Sequence, residues 1–65
     1  MKLAEIRLLS MQELINKTND ARQELMNLRF QIVSGQLTDT SRLKQTRRLI
    51  ARYETVLRER QQAEK

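Results

Sequence analysis

Apolar side chains recur along this chain in alternating steps of three and four. Met11, Leu14, Thr18, Ala21, Leu25, Leu28 and Ile32 form one such series, and Leu43, Thr46, Ile50, Tyr53 and Leu57 a second, which Leu49 and Val56 widen. This is the heptad rhythm of a helix whose apolar seam faces another helix. The spacing predicts a long helix over about 11–34 and a second over about 40–60. Thr18 is the weak member of its series, with a hydroxyl that can fold back onto a helix carbonyl. Leu3, Ile6 and Leu8 predict a short helix over about 2–8, able to fold back over one end of the pair.

Local signals mark the boundaries. Ser10-Met11-Gln12-Glu13 is a capping box, with Leu9 and Leu14 at the staple positions around it. Gly35 is suited to the left-handed conformation that closes a helix C-terminus. After Gln36-Leu37-Thr38, Asp39 is the best N-cap of the next helix, with Thr38 and Thr40 as equivalent alternatives. Residues 61–65 show no periodic signal and are expected to fray. Helices of roughly 36 Å and 31 Å joined by about four residues must lie antiparallel. The expected fold class is all-α: one domain over 1–65, a long antiparallel two-helix hairpin with a short N-terminal helix. Such a hairpin leaves much of each helix exposed, so help from a partner is expected. Self-association into a four-helix bundle is the alternative.

Composition agrees and excludes much chemistry. Leu, Ile, Arg, Lys, Glu, Gln, Met and Ala dominate, Pro is absent and Gly occurs once in 65 residues, which favours helix throughout. Without Cys there are no disulfides, thiolate zinc sites or thiol nucleophiles. Without His the usual general base and commonest metal ligand are missing too. The remaining acids are spread along two helices, so no enzyme, cofactor, metal or small-molecule substrate is expected. No apolar run approaches the roughly 18 residues of a membrane span, and Met1-Lys2-Leu3 is not followed by a signal-peptide core. The expected setting is soluble and intracellular.

Charge changes the picture most. The chain carries 13 Lys or Arg against 8 Asp or Glu, a formal net charge of +5. Residues 1–35 are nearly balanced, whereas Arg42, Lys44, Arg47, Arg48 and Arg52 follow one another with no acid before Glu54. At about 100° per residue, Lys44, Arg48 and Arg52 stack opposite the apolar seam. Arg47 and Arg58 lie along a flank, with the small residues Ala51 and Thr55 between. Arginine forks grip phosphate oxygens two at a time, and small residues between them allow close approach of a phosphate backbone. A solvated face is the plain alternative, but such faces interleave signs. An interfacial membrane helix would want aromatic residues at its boundary, and Phe30 and Tyr53 are the only aromatics. They are also too few for base-stacking recognition of single strands. Folded RNA, bound through shape and backbone, fits best. The RNA-binding candidates are Lys44, Arg47, Arg48, Arg52 and Arg58 on the second long helix and Arg29 on the first.

Met26, Phe30 and Val33 project away from the seam of the first long helix. Either the N-terminal segment covers them, or they contact a neighbouring protein or RNA. They are taken as protein-contact candidates.

Several blocks also resemble a known family. They are Glu24-Leu25-Met26-Asn27-Leu28-Arg29-Phe30-Gln31, then Ser34-Gly35-Gln36-Leu37, then Arg47-Arg48-Leu49-Ile50-Ala51-Arg52 and Thr55-Val56-Leu57. Their order and spacing resemble the ribosomal large-subunit protein twenty-nine family over nearly the whole chain. The resemblance implies a long antiparallel hairpin with a short N-terminal helix and a non-catalytic structural role in the large subunit. It implies binding to large-subunit ribosomal RNA near the nascent-chain tunnel exit, beside ribosomal protein twenty-three, where chaperone and targeting factors dock. The family's Arg-Arg-x-Ile-Ala-Arg block falls on Arg47, Arg48, Ile50, Ala51 and Arg52, which implies RNA contact by those three arginines. Thr40 stands where many members have proline, which weakens only the expected helix start. Tyr53 replaces an aliphatic residue and Leu49 a polar one, adding bulk at the helix interface.

The sequence therefore points to an RNA-binding helical hairpin of the large ribosomal subunit. The alternative is a coiled-coil adapter that binds only proteins or itself.

Overall fold

A computed structural model describes residues 2–63. Three helices follow one another, α1 (Leu3–Arg7), α2 (Met11–Val33) and α3 (Ser41–Ala63), and the described residues contain no strand. The expected all-α hairpin with a short leading helix is the observed architecture.

Each boundary has a local cause. Ser10 is extended and its hydroxyl accepts the Glu13 amide at 3.1 Å, which opens α2. At the other end Gly35 adopts φ +79°. The Gly35 amide donates to the Ile32 carbonyl at 3.2 Å and the Gln36 amide to the Gln31 carbonyl at 2.9 Å. These two bonds form a Schellman closure that uses carbonyls the helix would leave unpaired. The Asp39 carboxylate accepts the Ser41 amide at 2.9 Å, and the Lys44 amide donates to the Thr40 carbonyl at 3.1 Å. Asp39 thus supplies the capping side chain while Thr40 stands at the threshold of α3.

The expectation of a frayed tail from residue 61 is corrected, since α3 runs through Ala63. Gln61, Gln62 and Ala63 are good helix formers with no breaker among them, and a last turn needs no apolar seam to continue. The remainder of that tail, Glu64 and Lys65, lies outside the described residues.

The long helices pack along their predicted seams into a rod of 45 × 17 × 16 Å. Ile6, Leu14, Ala21, Ile50, Tyr53 and Val56 form the buried core, with Leu9, Leu25, Leu49 and Leu57 packed against it. Thr18 and Thr46 are buried within the stripe. Each hydroxyl donates to the carbonyl one turn back, Thr18 to Leu14 at 2.7 Å and Thr46 to Arg42 at 2.9 Å. Neither therefore carries an unmet polar group into the interior.

Five residues are too few for a helix to stand alone in water, and α1 is held by α3. Ile6 is fully buried. Arg7 forms a two-bond ion pair with Glu59, Nη2 to Oε1 at 3.1 Å and Nε to Oε2 at 3.3 Å. Arg60 donates to the carbonyl oxygen of Arg7 at 3.0 Å and to that of Leu9. The Arg60 guanidinium thereby satisfies carbonyls at the end of α1, where positive charge is favoured. Because α1 docks on α3, it does not cover Met26, Phe30 and Val33, which are 65%, 69% and 88% exposed. That sequence alternative is ruled out.

Candidate RNA interface

The outer face of α3 follows from the register of its seam. With Thr46, Ile50, Tyr53 and Val56 buried against α1 and α2, the 100° step between residues turns Lys44, Arg47, Arg48, Ala51, Thr55 and Arg58 outward, and all six are exposed. Thr55 donates its hydroxyl to the Ala51 carbonyl at 2.8 Å, which folds it down onto the helix. Ala51 and Thr55 thus make a low saddle, with Arg47 and Arg48 on one side along the axis and Arg58 on the other. From Lys44 to Arg58 the ridge spans about 21 Å at 1.5 Å per residue. Among the described residues none of Lys44, Arg47, Arg48 and Arg58 makes an ion pair. Their charge is open to a polyanion.

Arg52 sits at the edge of this ridge rather than on its crest. It lines a shallow cleft with Lys2, Leu3 and Glu5 at the α1 end, and a second beside Glu24, Arg42 and Gln45. Arg29 is exposed on α2 and makes no ion pair among the described residues, but it belongs to the other helix and is not brought into the ridge.

Arg42 corrects the sequence picture of an uncompensated run. Its Nη2 lies 2.6 Å from Glu24 Oε1 and its Nε 2.8 Å from the same oxygen. Arg22 similarly reaches Glu54 at 2.8 Å. Acids absent from a base's own helix are supplied by the facing one, which spacing along a single helix does not reveal.

The clamp residues Arg7, Glu59 and Arg60 were not singled out from the sequence. A signal existed for one of them: Arg60 continues the seam one step beyond Tyr53 and Leu57. A base at a seam position points inward and seeks carbonyls or carboxylates at the rod's end.

Two titrating groups stand apart from the ridge. Backbone and side-chain hydrogen bonds from Ser41 hold the Asp39 carboxyl below its usual value. Burial, with a smaller push from Asp20, raises the Tyr53 phenol above its own. Among the described residues no cluster of three or more His, Cys, Asp or Glu side chains is placed to hold a metal. No helix formed by them is long and apolar enough to cross a membrane.

Over residues 4–60 the sequence matches the family described as Ribosomal L29 protein. It is 54% identical over 61 residues to the Large ribosomal subunit protein uL29 of Thermosipho africanus, a span covering 94% of this chain and 92% of that one. It is 51% identical over 59 residues to the protein of the same name from Enterococcus faecalis, covering 91% and 95% of the two chains. The relative from Moorella thermoacetica is 52% identical over 61 residues, covering 94% and 91%. The matched family is one of ribosomal structural proteins rather than enzymes. A match that runs from α1 to Arg60, with more than half the aligned residues identical in each of these relatives, establishes that the chain belongs to the Ribosomal L29 family.

Proposed function

We propose that the chain is a non-catalytic structural constituent of the large ribosomal subunit and binds large-subunit ribosomal RNA through the outer face of α3. One observation carries this reading. Arg7, Arg22 and Arg42 each face a glutamate on another helix. Lys44, Arg47, Arg48 and Arg58 instead share one exposed face with no ion pair among the described residues. A face kept only for solubility would mix its signs.

The mechanism is charge neutralisation on a preformed surface. The helix holds its bases at fixed spacing, so binding orders side chains rather than backbone and releases counterions from the RNA. The saddle at Ala51 and Thr55 lets a phosphate backbone approach between the arginine forks. Arg52 and Arg29 extend the contact at the ridge's edge and from α2. Backbone contacts of this kind recognise folded RNA by shape rather than sequence.

The names of the relatives support the large-subunit setting. The family resemblance adds a cytoplasmic particle and a place near the tunnel exit, beside ribosomal protein twenty-three, where chaperone and targeting factors dock. Met26, Phe30 and Val33 are candidate contacts with a neighbouring protein. Against a protein-only coiled-coil adapter stands the seam itself, which α1, α2 and α3 fill among themselves.

Replacing Arg47 and Arg48 together by glutamate tests the reading. Helix content by circular dichroism is expected to stay unchanged, while affinity for a large-subunit ribosomal RNA fragment and incorporation into reconstituted large subunits both fall. Unchanged affinity and incorporation would end it.

A further inference from the structure

α1 runs beside α3 in the same direction. Lys2, Leu3 and Glu5 share a cleft with Arg52, Arg7 pairs with Glu59, and Arg60 reaches the Leu9 carbonyl. The long helices run oppositely, Arg22 pairing with Glu54 and Glu24 with Arg42. α1 is therefore turned back on α2, and the chain reverses within Leu8, Leu9 and Ser10. That reversal is lightly held. Leu8 is 86% exposed, and the Leu8 and Leu9 amides donate only three residues back, to the Glu5 and Ile6 carbonyls. The Ser10 hydroxyl then caps α2.

Nothing in the covalent chain demands the reversal. No Gly or Pro lies between Leu3 and Val33, and Leu8, Leu9 and Met11 are good helix formers. Straightened, the segment is one helix, roughly 46 Å long at 1.5 Å per residue. The Arg7 and Leu9 carbonyls, which accept from Arg60 in the closed chain, then accept from the Met11 and Glu13 amides. Such a helix carries Ile6 past the end of its own rod and leaves two apolar surfaces bare, Ile6 and the place it filled. A second copy covers both. Across a two-fold axis at residues 8–10 its rod points the other way, so its α3 runs parallel to the incoming α1, as within one chain. The fit needs no new surface, because identical sequences repeat the Ile6 burial and the Arg7–Glu59 pair between copies.

We propose that two copies of the free chain exchange α1 at high concentration, forming a two-fold dimer in which α1 and α2 are one continuous helix. This goes beyond RNA binding and does not rest on it.

The test uses the full chain, which has no Cys of its own. Chains carrying Arg7→Cys and chains carrying Glu59→Cys are mixed at roughly millimolar concentration and treated with a short bis-maleimide. The expected result is a link between position 7 of one chain and position 59 of another. Sedimentation should show a dimer that dissociates on dilution to roughly micromolar. Met11→Pro suits the closed chain, since Ser10 is already extended at ψ 162°, the conformation a residue before proline prefers, and the first helical position accepts proline. In the straightened helix it removes the Met11 donor and crowds the Arg7 carbonyl, so the dimer fraction should fall about tenfold or more. Ser10→Ala removes a cap that only the closed form uses, and should raise the association constant about tenfold. Monomers at every concentration, in the parent chain and in Ser10→Ala alike, overturn the inference. A dimer without the 7–59 link, or one that persists undiminished in a folded Met11→Pro chain, also overturns it. Should Met11→Pro lose its helix content by circular dichroism, the 7–59 link decides alone.

Discussion

Arg42 and Glu24 form an ion pair across the two long helices, with both Nε and Nη2 of the arginine on one carboxylate oxygen. This separates Arg42 from the bases that follow it in sequence. Replacing Arg42 by glutamine should change stability by no more than about 1 kcal/mol, because both partners remain partly exposed and the pair is screened. It should also leave RNA affinity nearly unchanged. Replacing Arg48 by glutamine should weaken RNA binding clearly. Affinities of the two variants for the same RNA fragment decide the matter: equal losses would show that Arg42 belongs to the binding face.

Salt offers a second measure of the ridge. If Lys44, Arg47, Arg48 and Arg58 each neutralise a phosphate, affinity falls steeply between roughly 50 and 200 mM salt, and each glutamine substitution lowers the log–log slope by about 1. Arg42→Gln should leave that slope as it was. A salt series on single variants gives the count directly.

The α1 clamp yields a graded pair of outcomes. Ile6 is fully buried, and Ile6→Ala should cost about 2–4 kcal/mol, the range for truncating a large apolar core side chain. Arg60→Met keeps the stem but removes the donors to the Arg7 and Leu9 carbonyls, and should cost about 1–3 kcal/mol. Native-state hydrogen exchange should show the Ile6 and Leu9 amides opening faster in Arg60→Met, while amides in the middle of α2 keep their protection. Uniform acceleration would mean that α1 has no separate opening.

Stability should depend on pH through two residues in opposite directions. Burial disfavours the phenolate of Tyr53, so its folded value lies above the ordinary 10.0. Its contribution is complete below that value and is lost as pH rises towards the raised one. Asp39 is held low by Ser41, so its contribution is present above the usual carboxylate range and is lost as pH falls through the lowered value. Denaturation midpoints across pH should therefore show an alkaline decline that Tyr53→Phe flattens and an acid decline that Asp39→Asn reduces.

Gly35→Ala isolates the turn. A Cβ there would meet no atom within 4 Å, but the backbone sits at φ +79°. The cost is conformational alone, about 1–2 kcal/mol, and asparagine should recover part of it. A larger loss in thermal melts would point to a steric cause.

Much of the fold was legible because its determinants are local or periodic. The seam residues from Met11 to Ile32 and from Leu43 to Leu57 become core or half-buried in the structure, and Ser10, Gly35 and Asp39 act at the boundaries they mark. The outward turn of Lys44, Arg47 and Arg48 follows from that same register. The pairing of Arg42 with Glu24, and the grip of Arg60 on Arg7 and Leu9, depend on which turns of two helices come level. A one-dimensional pattern does not contain that relation. The continuation of α3 through Gln61, Gln62 and Ala63 escaped for another reason: a helix end sustained by propensity alone leaves no periodic trace.

The link between Arg7 and Glu59 joins residues 52 positions apart, nearly the whole span of the described chain. Contacts so distant in sequence close late, after the hairpin has brought its two strands of helix together. During synthesis the leading helix must therefore wait, unseated, until the last turns of the trailing one have been made. A chain interrupted before Glu59 would lack both arms of the clasp, leaving Ile6 without its anchorage and the nascent hairpin open at that end.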